Sequence, residues 1–158
     1  MKQKIIATAA ALLGLLASMP CAAQSVYSYS ADASGTAGAL VTDSKTGLTW
    51  QRCSAGQSFA ASTCSGTLGT YTHEQALAYA QVQTGWRLPS VKELSSVVDS
   101  SVIGPAINST AFPATPSSSA WASSPYASDA ASAWIVNFTD GTVSTSSRSN
   151  LYHVRLVR

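Results

Sequence analysis

Hydrophobic positions along the chain change their period several times, and each change marks an element. An apolar stretch of 12 residues runs from Ile5 to Leu16, interrupted only by Thr8. Residues 24–38 (QSVYSYSADASGTAG) are small and polar and read as a flexible lead-in, part of which is expected to form an edge strand. Ala39 to Asp43 and Gly47 to Trp50 then read as two short strands about a turn at Asp43-Ser44-Lys45-Thr46. The period next becomes helical. Thr72 is placed to cap a helix over His73 to Val82, with Gln75 as its capping-box partner. Ser90 and Glu93 form S-x-x-E just after Pro89, and Val91, Leu94, Val97 and Val98 give the second helix one apolar face. From Ser100 to Ser119 the chain carries Gly, three Pro and many Ser/Thr, and no element is predicted. A structureless stretch of about 20 residues inside a compact domain tends to be functional or mobile.

Alternation returns near the end. Trp134, Val136 and Phe138 alternate with Ile135 and Asn137, and Asp140-Gly141 is a strong hairpin signal. Thr142 to Thr145 forms the return strand, with Val143 expected to face inward. Tyr152, Val154 and Leu156 alternate with His153, Arg155 and Val157 in a final strand. The early strands near Val41 are its expected partners, and His153 should face outward. The pattern predicts an α+β domain, two short helices followed by a β-rich half.

The first segment reads as an address. Lys2 and Lys4 precede the apolar stretch, which is shorter than the ~20 residues of a membrane-spanning helix. Cys21-Ala22-Ala23 offers small residues for cleavage before Gln24, so residues 1–23 are expected to be a signal peptide. The rival is a lipidated Cys21, which Met19 and Pro20 fit poorly. Cleavage removes two of the nine Lys/Arg, leaving seven against seven Asp/Glu, so the formal charge of +2 belongs to the leader. It also removes one of three Cys. The remaining pair, Cys53 and Cys64 in RCSAGQSFAASTCSG, suits a disulfide in an oxidising compartment. A metal site or redox pair is the alternative, against which stand the lack of nearby His and the absence of C-x-x-C spacing. The protein is expected to be secreted or surface-attached, with the periplasm as the other destination, and without a membrane span after cleavage.

Only 10% of residues are charged, against about 25% in an average soluble protein. Polar positions are instead filled by Ser and Thr. Nucleic acid is disfavoured as a partner, because phosphate binding needs clustered Lys/Arg. Four Trp, six Tyr and regular apolar alternation argue against disorder. No cofactor motif is present.

Several phrases occur in a specific order: Thr46-Gly47-Leu48-Thr49-Trp50-Gln51-Arg52, Trp86-Arg87-Leu88-Pro89 with Lys92-Glu93-Leu94, Ala111-Phe112-Pro113, Ala120-Trp121-Ala122-Ser123-Ser124 and Val154-Arg155-Leu156-Val157-Arg158. Together they resemble the bacterial family named for the C-terminal domain of the Legionella collagen-like adhesin, over nearly all of residues 39–158. The resemblance implies a C-type-lectin-like fold, with paired terminal strands, two flanking helices, a second small β-rich sheet and long loops. It also implies surface attachment through sulfated glycans. The chain departs from the named adhesin in having no Gly-X-Y repeat before the domain. It also lacks the Glu-Pro-Asn and Trp-Asn-Asp phrases of calcium-dependent lectins, so calcium is not implied.

Each chemically interesting residue has a plainer reading. Trp86 and Arg87 could stack on a sugar and grip an acid, but the adjacent cap favours a core Trp and a locally paired Arg. Trp50 reads as core. His73, in a first helical turn, is expected to be solvated. Neither His73 nor His153 sits in a nucleophile motif, and Asp/Glu are sparse, so the chain is expected not to be an enzyme. The lectin-like fold is shared with formylglycine-generating enzymes, which rely on Cys chemistry, whereas both mature Cys here read as bridged. The stretch from Trp121 to Asn150 is the better binding candidate. Tyr126, Asp129, Asn137, Thr139, Asp140, Ser144, Ser146, Arg148 and Asn150 gather there with Trp121 around a hairpin. Amphipathic aromatics beside short hydrogen-bonding side chains make adaptable contact surfaces, and the planar fork of Arg148 suits sulfate or carboxylate. The plainer alternative makes Trp121 and Trp134 core and the hairpin side chains solvated. The expected partner is a glycan or a cell-surface protein, bound without metal or cofactor. The other readings are a diversified protein-binding display domain and a structural surface protein.

Overall fold

The computed structural model describes residues 27–158; the expected signal peptide and cleavage site lie outside them. Eight strands in three small antiparallel sheets combine with two short helices. The first sheet joins β1 (Tyr27–Ser30), β2 (Leu40–Asp43) and β3 (Thr49–Gln51) in that order. β1 is the edge strand anticipated within the lead-in. The β2–β3 turn closes because Asp43 accepts from the Lys45 amide at 2.9 Å and the Thr46 hydroxyl at 2.8 Å. A side-chain acceptor two or three residues ahead mimics a backbone turn.

A hairpin of β4 (Ser58–Ala60) and β5 (Thr63–Ser65) follows, and the Cys53–Cys64 disulfide ties it back to the first sheet. Both predicted helices form where their capping boxes start them: α1 (His73–Gln81) from Thr72 and Gln75, α2 (Val91–Ser96) from Ser90 and Glu93. Each box satisfies two of the amides that a helix start leaves unpaired. Arg87 adds a two-pronged ion pair to Glu93, at 2.7 and 2.6 Å. The local pairing expected of Arg87 is therefore present.

The third sheet, β6 (Ser119–Pro125), β7 (Ser132–Asn137) and β8 (Val143–Ser147), divides the core. β7 lies between its partners with both faces covered. Val136 joins Val41, Trp50, Leu94, Phe112 and Phe138 on one side. Ala133 and Ile135 join Ala76, Leu88, Trp121 and Leu156 on the other. Strands buried on both faces lose the simple apolar–polar alternation. At the hairpin tip Gly141 has φ 80°, and a Cβ there would lie 2.6 Å from Val98 Cγ1. Only glycine lets the turn sit this close to the end of α2.

Three expectations fail in instructive places. Val143 lies opposite buried Val136, on the face expected of it, yet it is exposed, because β8 is an edge strand. The last residues form no extended strand, although their partner is one of the expected early strands: they bond through single bridges to β3 on one side and Arg87 on the other. Thr49 and Arg158 exchange backbone bonds at 3.0 and 2.9 Å, and Arg87 and Val157 exchange two at 3.0 Å. Bonded on both sides, this tail buries Val154, Arg155, Leu156 and Val157 in succession. Trp86 is only half-buried, whereas Trp50 and Trp121 are fully buried.

Candidate functional site

The segment from Trp121 to Asn150 forms β6, β7, β8 and their turns, so its candidate residues share one sheet without converging on one cavity. Trp121 belongs to the core: its ring is fully buried and its Nε1 donates to the Tyr71 carbonyl at 2.8 Å. Tyr126 is half-buried, its ring edge-on to Trp134 with centroids 5.4 Å apart.

The polar residues largely serve their own turns. Asp129 accepts from the Ala131 amide and the Ser132 hydroxyl. Asp140 accepts twice from Thr142. These bonds to the charged form hold both carboxyls below their ordinary value. Asn137 accepts from the Thr139 amide, and Asn150 donates to Ser146, whose hydroxyl lies 3.1 Å from the Tyr152 hydroxyl. Thr139 and Ser144 are exposed. The result is an open surface whose turns are held rigid by internal bonds. Three clefts of about 340, 310 and 400 Å³ are lined by other side chains.

Arg148 is half-buried, and its Nε donates to the Ser132 carbonyl at 3.2 Å. Its Nη1 lies 3.5 Å from His73 Nδ1. The expectation of a solvated His73 is overturned. Its side chain is 1% exposed, stands edge-on to Trp121, and has Nε2 3.0 Å from the Ala122 carbonyl. A carbonyl can only accept, so Nε2 carries the proton and Nδ1 is left as acceptor toward Arg148. Burial, the larger cause, and the nearby Arg148 charge push its pKa down. His153 is likewise not outward: it is half-buried, with Nδ1 3.0 Å from the Gly69 carbonyl.

Two arginines that sequence reasoning does not single out as structural organise the interior. Arg155 was expected opposite the inward positions of a strand, yet it is 2% exposed. Its guanidinium donates to the Gln51 and Arg52 carbonyls and to the Ser54 and Thr115 hydroxyls, with Phe112 against its face. Burial lowers its pKa to about 9, which leaves it cationic at neutral pH. Arg52 donates to the Gly38, Thr110 and Ala111 carbonyls and lies between the Tyr29 and Phe59 rings. For Arg155 the signal in the sequence is slight, a charged residue set between apolar neighbours in Val154-Arg155-Leu156.

Cys53 and Cys64 form the expected bridge, with sulfurs 2.07 Å apart. No group of three or more potential metal-binding side chains occurs among the described residues. No helix among them is long and apolar enough to cross a membrane.

The sequence model of the Lcl C-terminal domain matches residues 39–158. The chain belongs to this family. Its matched part begins at the first buried residue of the domain, Ala39, and takes in both helices, the disulfide hairpin and the third sheet. No curated protein matches the chain. Within the Lcl C-terminal domain, the arginine-rich phrases that carried the resemblance are internal ties: Arg52, Arg87 and Arg155 each bond within the fold.

Proposed function

We propose that this Lcl C-terminal domain is a secreted, non-catalytic bacterial surface-binding module that contacts a glycan or another cell-surface ligand through the β6–β8 face. One observation carries the reading. The groups that could do acid–base or thiol chemistry are spent on structure, while the hairpin keeps a rigid, exposed, hydroxyl-rich surface. Both imidazoles bond to backbone carbonyls, and both described Cys share one disulfide. Asp129, Asp140 and Asn137 brace the turns that present Thr139, Ser144 and Asn150. A surface ordered before contact loses little conformational entropy on binding.

A C-type-lectin-like fold is part of the proposal. Three features support it: the bonds between the C-terminal tail and β3, the two flanking helices, and the separate sheet reached through the irregular 100–118 segment. Two cations border this sheet, Arg148, whose Nε is already engaged, and Lys92, which shares a cleft with Trp134 and Val143; dense sulfation is not required of the ligand. The openness of the face also suits a protein partner, so the display-domain reading stands second.

The test is a glycan array probed with the protein and with the obstructing variants Thr139→Arg and Ser144→Arg. Binding by the parent, lost in both variants at unchanged thermal midpoint, is the expected result. Binding retained by both variants overturns the site, and a silent array with a captured protein partner favours the display reading.

A further inference from the structure

A cleft of about 340 Å³ lies away from the hairpin, built by segments distant in sequence. Asp32 comes from the turn after β1, Gln51 from β3, Gln57 and Phe59 from the disulfide hairpin, and Trp86 from the approach to α2. Its size falls at the small end of the ~300–1,000 Å³ typical of small-molecule sites. Asp32 stands ahead of residues 39–158, so part of this wall lies outside the matched family domain.

The walls are held in place before any ligand arrives. The Phe59 ring is held by the Arg52 guanidinium at 4.4 Å, and that guanidinium is itself fixed by three backbone carbonyls. Trp86 is held by Arg158 at 4.8 Å. Gly38, at φ 72°, brings the lead-in against Arg52 and Phe59 in a conformation that disfavours a side chain. The disulfide fixes the root of the hairpin that carries Phe59. Asp32 accepts all three of its bonds, from the Ser34 amide and hydroxyl and the Thr36 amide, on Oδ1. That turn leaves Oδ2 for a ligand.

The lining combines aromatic carbon, one carboxylate and two carboxamides, and includes no Lys, Arg or His. Such a set accepts and donates hydrogen bonds to hydroxyls while an aromatic ring covers C–H surface. A sulfate or uronate would meet Asp32, while the nearest guanidinium groups, Arg52 and Arg158, are stacked on the Phe59 and Trp86 rings rather than part of the lining. The geometry points to a second binding site, for one uncharged sugar residue, in which the Trp86 ring covers a C–H face and Asp32 Oδ2 accepts from hydroxyls. This site is independent of the hairpin surface.

The test is a titration of the isotope-labelled protein with glucose, galactose, mannose and their neutral trisaccharides, followed by amide and indole shifts. A sulfated glucosamine disaccharide serves as the contrast. Saturable shifts at Trp86, Phe59 and Asp32 are expected with at least one neutral sugar. Asp32→Asn keeps an Oδ1 acceptor for its own turn, so the fold is retained while affinity falls about tenfold. The inference is overturned by any of three outcomes: no shift at Trp86 with any neutral sugar, shifts confined to residues 119–150, or tighter binding of the sulfated disaccharide at the cleft. Shifts confined to 119–150 would leave the hairpin reading standing, so the two proposals fail separately.

Discussion

Arg155 and His73 show what a buried polar side chain needs from its surroundings. A guanidinium removed from water is costly unless its donors are met. Arg155 meets two carbonyls and two hydroxyls and lies against the face of Phe112. In the sequence it is one member of an alternating tail, and alternation cannot say that both sides of that tail are covered. His73 looked solvated because a first helical turn usually is; here β6 lies over it and offers the Ala122 carbonyl.

A pH dependence follows for His73. Its folded pKa is lowered, chiefly by burial, from 6.5. Below pH 6.5 the unfolded chain therefore takes up a proton that the native state resists. Stability is complete above that pH and falls as pH drops below it, by at most about 1.4 kcal/mol per pH unit until the folded group titrates. Urea denaturation should show this slope down to about pH 5, where carboxylates begin to contribute. His73→Gln, which keeps a donor for Ala122, should flatten it; an unchanged slope would exclude His73 as its source.

Elements were legible in proportion to how local their causes are. Both helices begin at capping boxes written within four residues, and both form where those boxes place them. The β2–β3 turn and the Asp140-Gly141 hairpin follow from Asp and Gly at fixed offsets. β4 and β5 were not anticipated, since three-residue strands inside a disulfide loop carry no period of their own. The bridge joins Cys64 of β5 to Cys53, just after β3. Reduction of Cys53–Cys64 should lower the unfolding free energy by about 2–3 kcal/mol. Denaturation with and without reductant measures this, and an unchanged midpoint would show that the bridge adds no stability. The reduced protein should also lose order at Phe59 before the third sheet, visible as faster amide exchange confined to residues 54–65.

Across the whole molecule, the low charge has a definite meaning. The few arginines are structural ties, the described cysteines are joined, and the imidazoles bond to carbonyls. The polar surface is left mainly to Ser, Thr and Asn on a braced sheet. Family membership, the two helices and the β7–β8 hairpin could be read along the chain, because each rests on a short phrase. The cleft between Asp32, Phe59 and Trp86 could not, because it depends on three distant segments meeting.

The most direct test of a binding role for the β6–β8 face is amide hydrogen exchange of the protein alone and saturated with its best array ligand. Slower exchange concentrated in residues 119–150, with the ligand recovered chemically unchanged, is the predicted result. Unchanged exchange throughout that face at saturation, or a ligand recovered cleaved or modified, would contradict it.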